Sequence, residues 1–245
     1  MAKKSLKERL VKKRAELAKK GSKGGIIFLK EGTRRVRVLP TGEDNEFAVE
    51  VMQFYLGNDI KGVFSPQTFG DPCAIHEAYL ELKDSKDEDD QELAKQLVPK
   101  TKYLMPVLVY DDQKGKKVDK DDTGKLVQLT NGMYQDIIDL YLDEDEWGDM
   151  TDPKKGYDLK LSREGTTMTT TEYSVQPCKN TPIPKKYAKE VDVEEMVKKH
   201  MPTYEETKDF IGQFLGISDE DEDDKPKKKK KGKKGVKRRK RKKDY

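Results

Sequence analysis

Apolar and polar residues follow two different periods along this chain, and the changes of period mark out its segments. "TRRVRVLP" sets Arg35 and Arg37 against Val36 and Val38 and is stopped by Pro40. "FAVEVMQFYLG", "IKGVFSPQTFG", "KTKYLMPVLVYDD" and "KLVQL" are similar short runs bounded by Gly, Pro, Asn or Asp. "YDLKLSREG" and "MTTTEYSVQP" read as a hairpin pair. Short strands with this punctuation predict a barrel or sandwich. A helical period appears elsewhere. "DPCAIHEAYLEL" opens with Asp71 as cap and Pro72 as first helical residue. "NGMYQDIIDLYL" places Met133, Ile137, Ile138 and Tyr141 on one helical face. "VDVEEMVKKHM" and "TYEETKDFIGQFLG" are short amphipathic helices on either side of Pro202. "KDSKDEDDQELAKQL" is helical or loose, while "DDQKGKKVDKDDTG" and "EDEWGDMTDPKKG" are polar connections. No internal repeat is present.

The two ends differ from this middle. Ala2 to Lys20 reads as a basic helix with a thin stripe of Leu6, Leu10 and Leu17. That stripe is too weak to hold a helix in water alone, so the segment is expected to order on contact. "GSKGG" after it is a hinge. Ser218 to Asp224 is wholly acidic apart from its serine, and Lys225 to Lys243 is a basic low-complexity run. Neither can bury apolar area, so both are expected to be disordered when unliganded. The expected organisation is a basic arm (1–24), a folded core (25–217) and an acidic-then-basic tail (218–245).

Charge sharpens this picture. Charged residues make up 40% of the chain and hydrophobic ones 33%, so part of it is tail or solvated arm. The net charge of +4 conceals opposed blocks. Residues 225–245 hold 15 basic and one acidic residue, which leaves 36 basic and 46 acidic residues in 1–224. The first 20 residues carry +7, so residues 21–224 stand at −17. Basic ends around an acidic middle imply polyanion partners, or association between unlike patches. No apolar run approaches the ~20 residues that cross a bilayer, so no membrane partner is expected. "MAKKSLKERL" lacks the apolar core of a secretory leader, and two cysteines cannot make a disulfide framework. A cytoplasmic protein is the expectation.

In order along the chain, these segments resemble the helix-destabilising single-stranded DNA-binding proteins of T-even-like tailed phages. The likeness runs from about Lys3 to Gly216. "KKSLKERL" is similar to that family's N-terminal basic-plus-hydroxyl motif, and "VRVLP" to its first core strand. "DPCAIHEAY" falls where the family has a zinc knuckle, and "KTKYLMPVLVYDD" matches its Lys-Thr-x-Tyr strand and acidic turn. "DPKKGYDLKLSREG" resembles its Pro-x-x-Gly hairpin, and "EEMVKKHMPTYEETKDFIGQFLG" the helix pair closing its core. The resemblance implies a mainly β protein with peripheral helices (α+β), built on an OB-fold core, a five-stranded Greek-key barrel. It also implies cooperative coating of single-stranded DNA in phage replication, recombination and repair, within an infected bacterial cell.

Two departures matter. The family's knuckle binds zinc through one histidine and three cysteines, but only Cys73 and His76 keep its spacing here, and no Cys or His precedes them. Four ligands are the norm for a structural zinc, so no metal or other cofactor is expected and the pair is a remnant. The family also ends in an acidic tail used for partner docking. This chain has such a block, expected to meet phage replication proteins, but a basic run follows it.

Coating single strands requires cations along the phosphates and rings on which bases stack. Arg37 occupies the arginine of the family's strand, with Arg35 on the same strand face. Lys100, Lys102 and Tyr103 match the family's cation-and-ring strand, although Tyr103 shares a face with Met105 and Val107 and could equally be core. Tyr55 and Phe64 flank the "LGNDIKG" turn with Lys61; for either ring, core is the competing reading. Lys160, Arg163 and Tyr173 form a second cluster on the hairpin. Trp147 is set aside, because the carboxylates of "DEDEWGD" would repel phosphate. By resemblance, Lys3, Lys4, Ser5, Lys7 and Arg9 dock the arm on a neighbouring copy, head to tail. Lys227, Lys230, Arg238, Arg239 and Arg241 belong to a tail expected to bind nucleic acid nonspecifically.

Catalysis is not expected. The carboxylates lie in runs typical of solvated surface, neither histidine stands in an activating pattern, and no phosphate-binding glycine loop is present. The competing reading is an acidic scaffold or interaction protein whose basic ends bind RNA or a packaged genome.

Overall fold

A computed structural model describes residues 25–42, 46–57, 62–111, 124–167, 169–179 and 183–216. Lys61, the arm residues Lys3, Lys4, Ser5, Lys7 and Arg9, the acidic block and the tail residues Lys227, Lys230, Arg238, Arg239 and Arg241 lie outside them. Among the described residues there are eight strands and five α-helices, so the protein is mainly β with peripheral helices. No helix there is long and apolar enough to cross a membrane.

The strands are β1 (Ile26–Ile27), β2 (Gly32–Val38), β3 (Val49–Phe54), β4 (Val63–Phe64), β5 (Lys100–Val109), β6 (Gly124–Leu129), β7 (Asp158–Glu164) and β8 (Glu172–Cys178). They follow the order β1-β6-β5-β2-β7-β8, with β3 paired to β4 and β5. The path is open. The ring closure of a five-stranded Greek-key barrel is not among the pairings of the described residues.

β5 organises the sheet. One of its edges runs along β6 from Tyr103 to Leu108. Its other edge is shared: Lys100 to Leu104 pair with β3, and Val107 to Val109 pair with β2. Pro106 lies at the changeover. Its carbonyl accepts a hydrogen bond from the Leu39 N–H at 3.0 Å, so its missing N–H falls at the break between two partner strands.

Two side-chain layers follow from the alternation. Val36, Val38, Met105, Val107, Val127, Leu129 and Leu159 form the main core, which α3 (Asn131–Leu142) covers with Met133 and Ile137. On the other face, Val51, Phe64, Leu104 and Leu126 meet Val193 and Val197 of α4 (Val193–Lys198). A separate cluster joins α1 (Ala74–Asp84) to α5 (Tyr204–Leu215) through Cys73, Ile75, Leu97 and Ile211. α2 (Glu88–Gln96) is capped by the Asp87 side chain.

The cap expected at Asp71 lies elsewhere. Cys73 is the N-cap of α1 and offers no side-chain bond, and the Ala74 N–H instead donates to Thr207 Oγ1 of α5 at 3.1 Å. A hydroxyl on a neighbouring helix thus does the work of a local cap.

Candidate nucleic-acid interface

Alternation places Lys100 and Lys102 of β5 on the face of Gln53, their neighbour on β3. Gln53 is buried, and its Oε1 accepts from the Tyr55 hydroxyl at 2.8 Å and from Gln128 Nε2 of β6 at 2.9 Å. Gly62 makes this possible, since a Cβ there would lie 2.5 Å from Gln53 Nε2. Tyr55 is held by its hydroxyl while its ring stays 41% exposed. The Lys100 ammonium stands 5.2 Å from the centre of that ring. Burial lowers the pKa of Lys102, and the charge of Lys100 lowers it further. Two crowded cations of which one is partly desolvated favour an incoming anion.

The hairpin cluster joins this rim. The Arg163 guanidinium sits 6.0 Å from the Tyr173 ring, which is 38% exposed, and donates from Nη1 to the Leu29 carbonyl at 3.3 Å. Burial raises the Tyr55 pKa, a shift that a hydrogen bond with Gln128 opposes. Phe64, opposite Gln53 on the β3–β4 ladder, stacks with Phe28, and Arg163 bonds the carbonyl of the adjacent Leu29, so the hairpin reaches the same side of the sheet. Exposed rings between lysine and arginine side chains are what sequence-tolerant binding of a single strand requires.

Other candidates stand elsewhere. Phe64 is a core ring, 6% exposed. Tyr103 stacks on Tyr134 of α3 with centroids 4.0 Å apart and donates its hydroxyl to Glu50, so it packs on the main core. Lys160 is exposed but lies opposite Arg35 on the β2–β7 ladder, away from Lys100. Arg35 is engaged: its Nε donates to Asp158 Oδ2 at 2.8 Å, and its N–H donates to Asp111 in the acidic turn.

Arg37 is the clearest correction. Expected to project from the strand, it is fully buried, because β2 is covered on both faces at Val36, Arg37 and Val38. Its Nη2 donates to the Asp152 carbonyl at 2.6 Å. Burial lowers its pKa, opposed by Asp158, Tyr110, Asp152 and Asp149. A Cβ on Gly156 would lie 2.7 Å from this guanidinium and 2.5 Å from the Met150 carbonyl, so the 149–157 turn closes over Arg37 only with glycine there. Arg37 holds a loop and meets no solvent.

Both knuckle residues are packed against neighbouring side chains. Cys73 is buried in the α1–α5 cluster, and His76 packs against Phe54 and Tyr79. Among the described residues, no three His, Cys, Asp or Glu side chains stand together as a ligand set. No step is assigned to a metal.

Sequence reasoning missed Phe28. It is 47% exposed and stacks on Phe64 with centroids 6.5 Å apart and planes 10° from parallel. The run "IIFL" carried the signal, because Ile27 and Leu29 are buried in the main core and alternation puts Phe28 on the opposite face.

The fold is thus an open, mainly antiparallel sheet with peripheral helices and an aromatic–basic rim. The family described as gp32 DNA binding protein like matches residues 30–215, and the chain belongs to it. Curated proteins give no match to the chain.

Proposed function

We propose that this protein binds single-stranded DNA along the rim formed by Tyr55, Lys100, Lys102, Arg163 and Tyr173. The cation–ring pairs Lys100–Tyr55 and Arg163–Tyr173, linked through the Phe64–Phe28 stack and the Arg163 bond to Leu29, are the observation that carries this reading, supported by membership of a DNA-binding family. Rings without base-edge donors read any sequence, and unpaired bases alone can stack on them. The β6-β5-β2-β7-β8 order, with α3 between β6 and β7, supports an OB-type sheet left partly open.

In this reading the protein coats strands cooperatively during phage replication, recombination and repair, in the cytoplasm of the infected cell. It carries out no catalysis and needs no cofactor. The basic arm of one copy docks on the next, which builds a filament because head-to-tail contacts do not close. A cleft of about 530 Å³ supports this: Glu46, Glu50, Glu190, Asp192 and Glu194 ring a floor that includes Ala48 and Val193. Those carboxylates complement a +7 arm with a leucine stripe. The acidic block is left for replication partners.

The test removes residues 225–245 and measures binding to poly-dT. Retained, salt-sensitive binding supports a site in the core. Loss of all binding would transfer the activity to the basic tail, as a tail-driven RNA or genome binder requires.

A further inference from the structure

Among the described residues, no aromatic ring is more exposed than Phe28, and a phenyl ring has no hydroxyl through which water could compensate. Its outward position is enforced. Ile27 pairs with Val127 and packs in the main core, as does Leu29, so alternation puts Phe28 on the opposite face, beside Phe64. The Arg163 bond to the Leu29 carbonyl fixes the backbone one residue away. One face of the ring rests on Phe64, itself fixed against Val51 and Leu104. Phe28 as a whole stays 47% exposed. Phe64 is the β4 partner of Gln53, the same glutamine that holds Tyr55 and neighbours Lys100. The phenyl pair therefore adjoins the rim, flat and pre-stacked.

We propose that Phe28, backed by Phe64, is a base-stacking subsite that takes one unpaired nucleobase of the bound strand. The inference rests on the single-strand reading above. It adds a ring on the β1–β2 connection to those just after β3 and on β8, and it gives the rim residue Arg163 a second part, fixing the backbone at Leu29.

The full chain carrying Phe28→Trp and Trp147→Phe places the sole tryptophan at the subsite. Oligo-dT is added while anisotropy of the labelled oligonucleotide reports binding and tryptophan emission reports stacking. Quenching that saturates with binding is expected. Binding without any change in emission overturns the subsite and leaves the single-strand reading standing, whereas absence of binding by the unsubstituted protein overturns both. Phe28→Leu, which keeps the apolar contact with Phe64 but offers no flat face, guards against misfolding of the tryptophan variant. Its melting temperature should be unchanged and its affinity about tenfold lower. Unchanged affinity would also refute the subsite.

Discussion

Arg37→Ala separates the architecture from the site. The side chain is fully buried, and its Nη2 donates to the Asp152 carbonyl at 2.6 Å. Removing it takes one of the two hydrogen bonds that carbonyl accepts, leaving the one from the Gly156 N–H at 3.0 Å, opens a cavity beneath the 149–157 turn, and takes a positive charge from beside Asp158. A hydrogen bond to a charged group contributes roughly 1.5–3 kcal/mol, and a large-to-small change in a core adds a cavity cost that brings the total to roughly 3–5 kcal/mol. Arg35 still neutralises Asp158 from 2.8 Å, so the loss belongs at the lower end, about 3 kcal/mol. At about 2–4 °C per kcal/mol for a domain of this size, the melting temperature should fall by about 6–12 °C. Thermal melts by circular dichroism measure this. Affinity for oligo-dT, taken well below the new transition, should stay within about twofold, since Arg37 meets no solvent. A variant that melts like the parent but binds about tenfold more weakly would refute the reasoning and return Arg37 to the strand-binding face.

Three further outcomes follow from the geometry. Lys100→Ala and Lys102→Ala should each reduce the slope of log affinity against log salt by about 0.7, the value for one single-strand phosphate, with stability changed by no more than about 0.5 kcal/mol; unchanged slopes would remove these lysines from the interface. Burial pushes the Tyr157 hydroxyl up to about 12, with Asp149 and Asp143 adding to the shift. Between pH 10 and 12 the unfolded chain then ionises this tyrosine while the folded one does not. Stability is therefore lost as pH rises through that window, and Tyr157→Phe should lose less of it in alkaline urea melts. Gly156→Ala should destabilise the fold by at least about 2 kcal/mol, because its methyl would meet two carbonyls and the Arg37 guanidinium; a neutral result would show that the turn can open.

Much of the fold was legible because strand periodicity is local. β2, β5 and the β7–β8 hairpin lie where alternation put them, and α3 presents Met133 and Ile137 inward as their spacing required. The site was less legible, for two physical reasons. Alternation fixes which residues share a face but not whether that face is covered, and so Arg37 could be assigned opposite Val36 and Val38 without its burial being visible. Register between distant strands is also absent from local patterning. Tyr55 and Tyr173 fall in separate clusters along the sequence because the contacts that link their surroundings, Phe28 on Phe64 and Arg163 on the Leu29 carbonyl, join segments far apart in the chain. Phe28 escaped because β1 is two residues long, too short to display a period.

The most direct test of the central claim is the affinity of the chain ending at Asp224 for poly-dT, measured across a salt series. A positive rim on the core should give saturable binding that weakens linearly in log–log form as salt rises, with the slope reduced further by Lys100→Ala. Absence of binding at about 50 mM salt, where phosphate contacts are strongest, would contradict it.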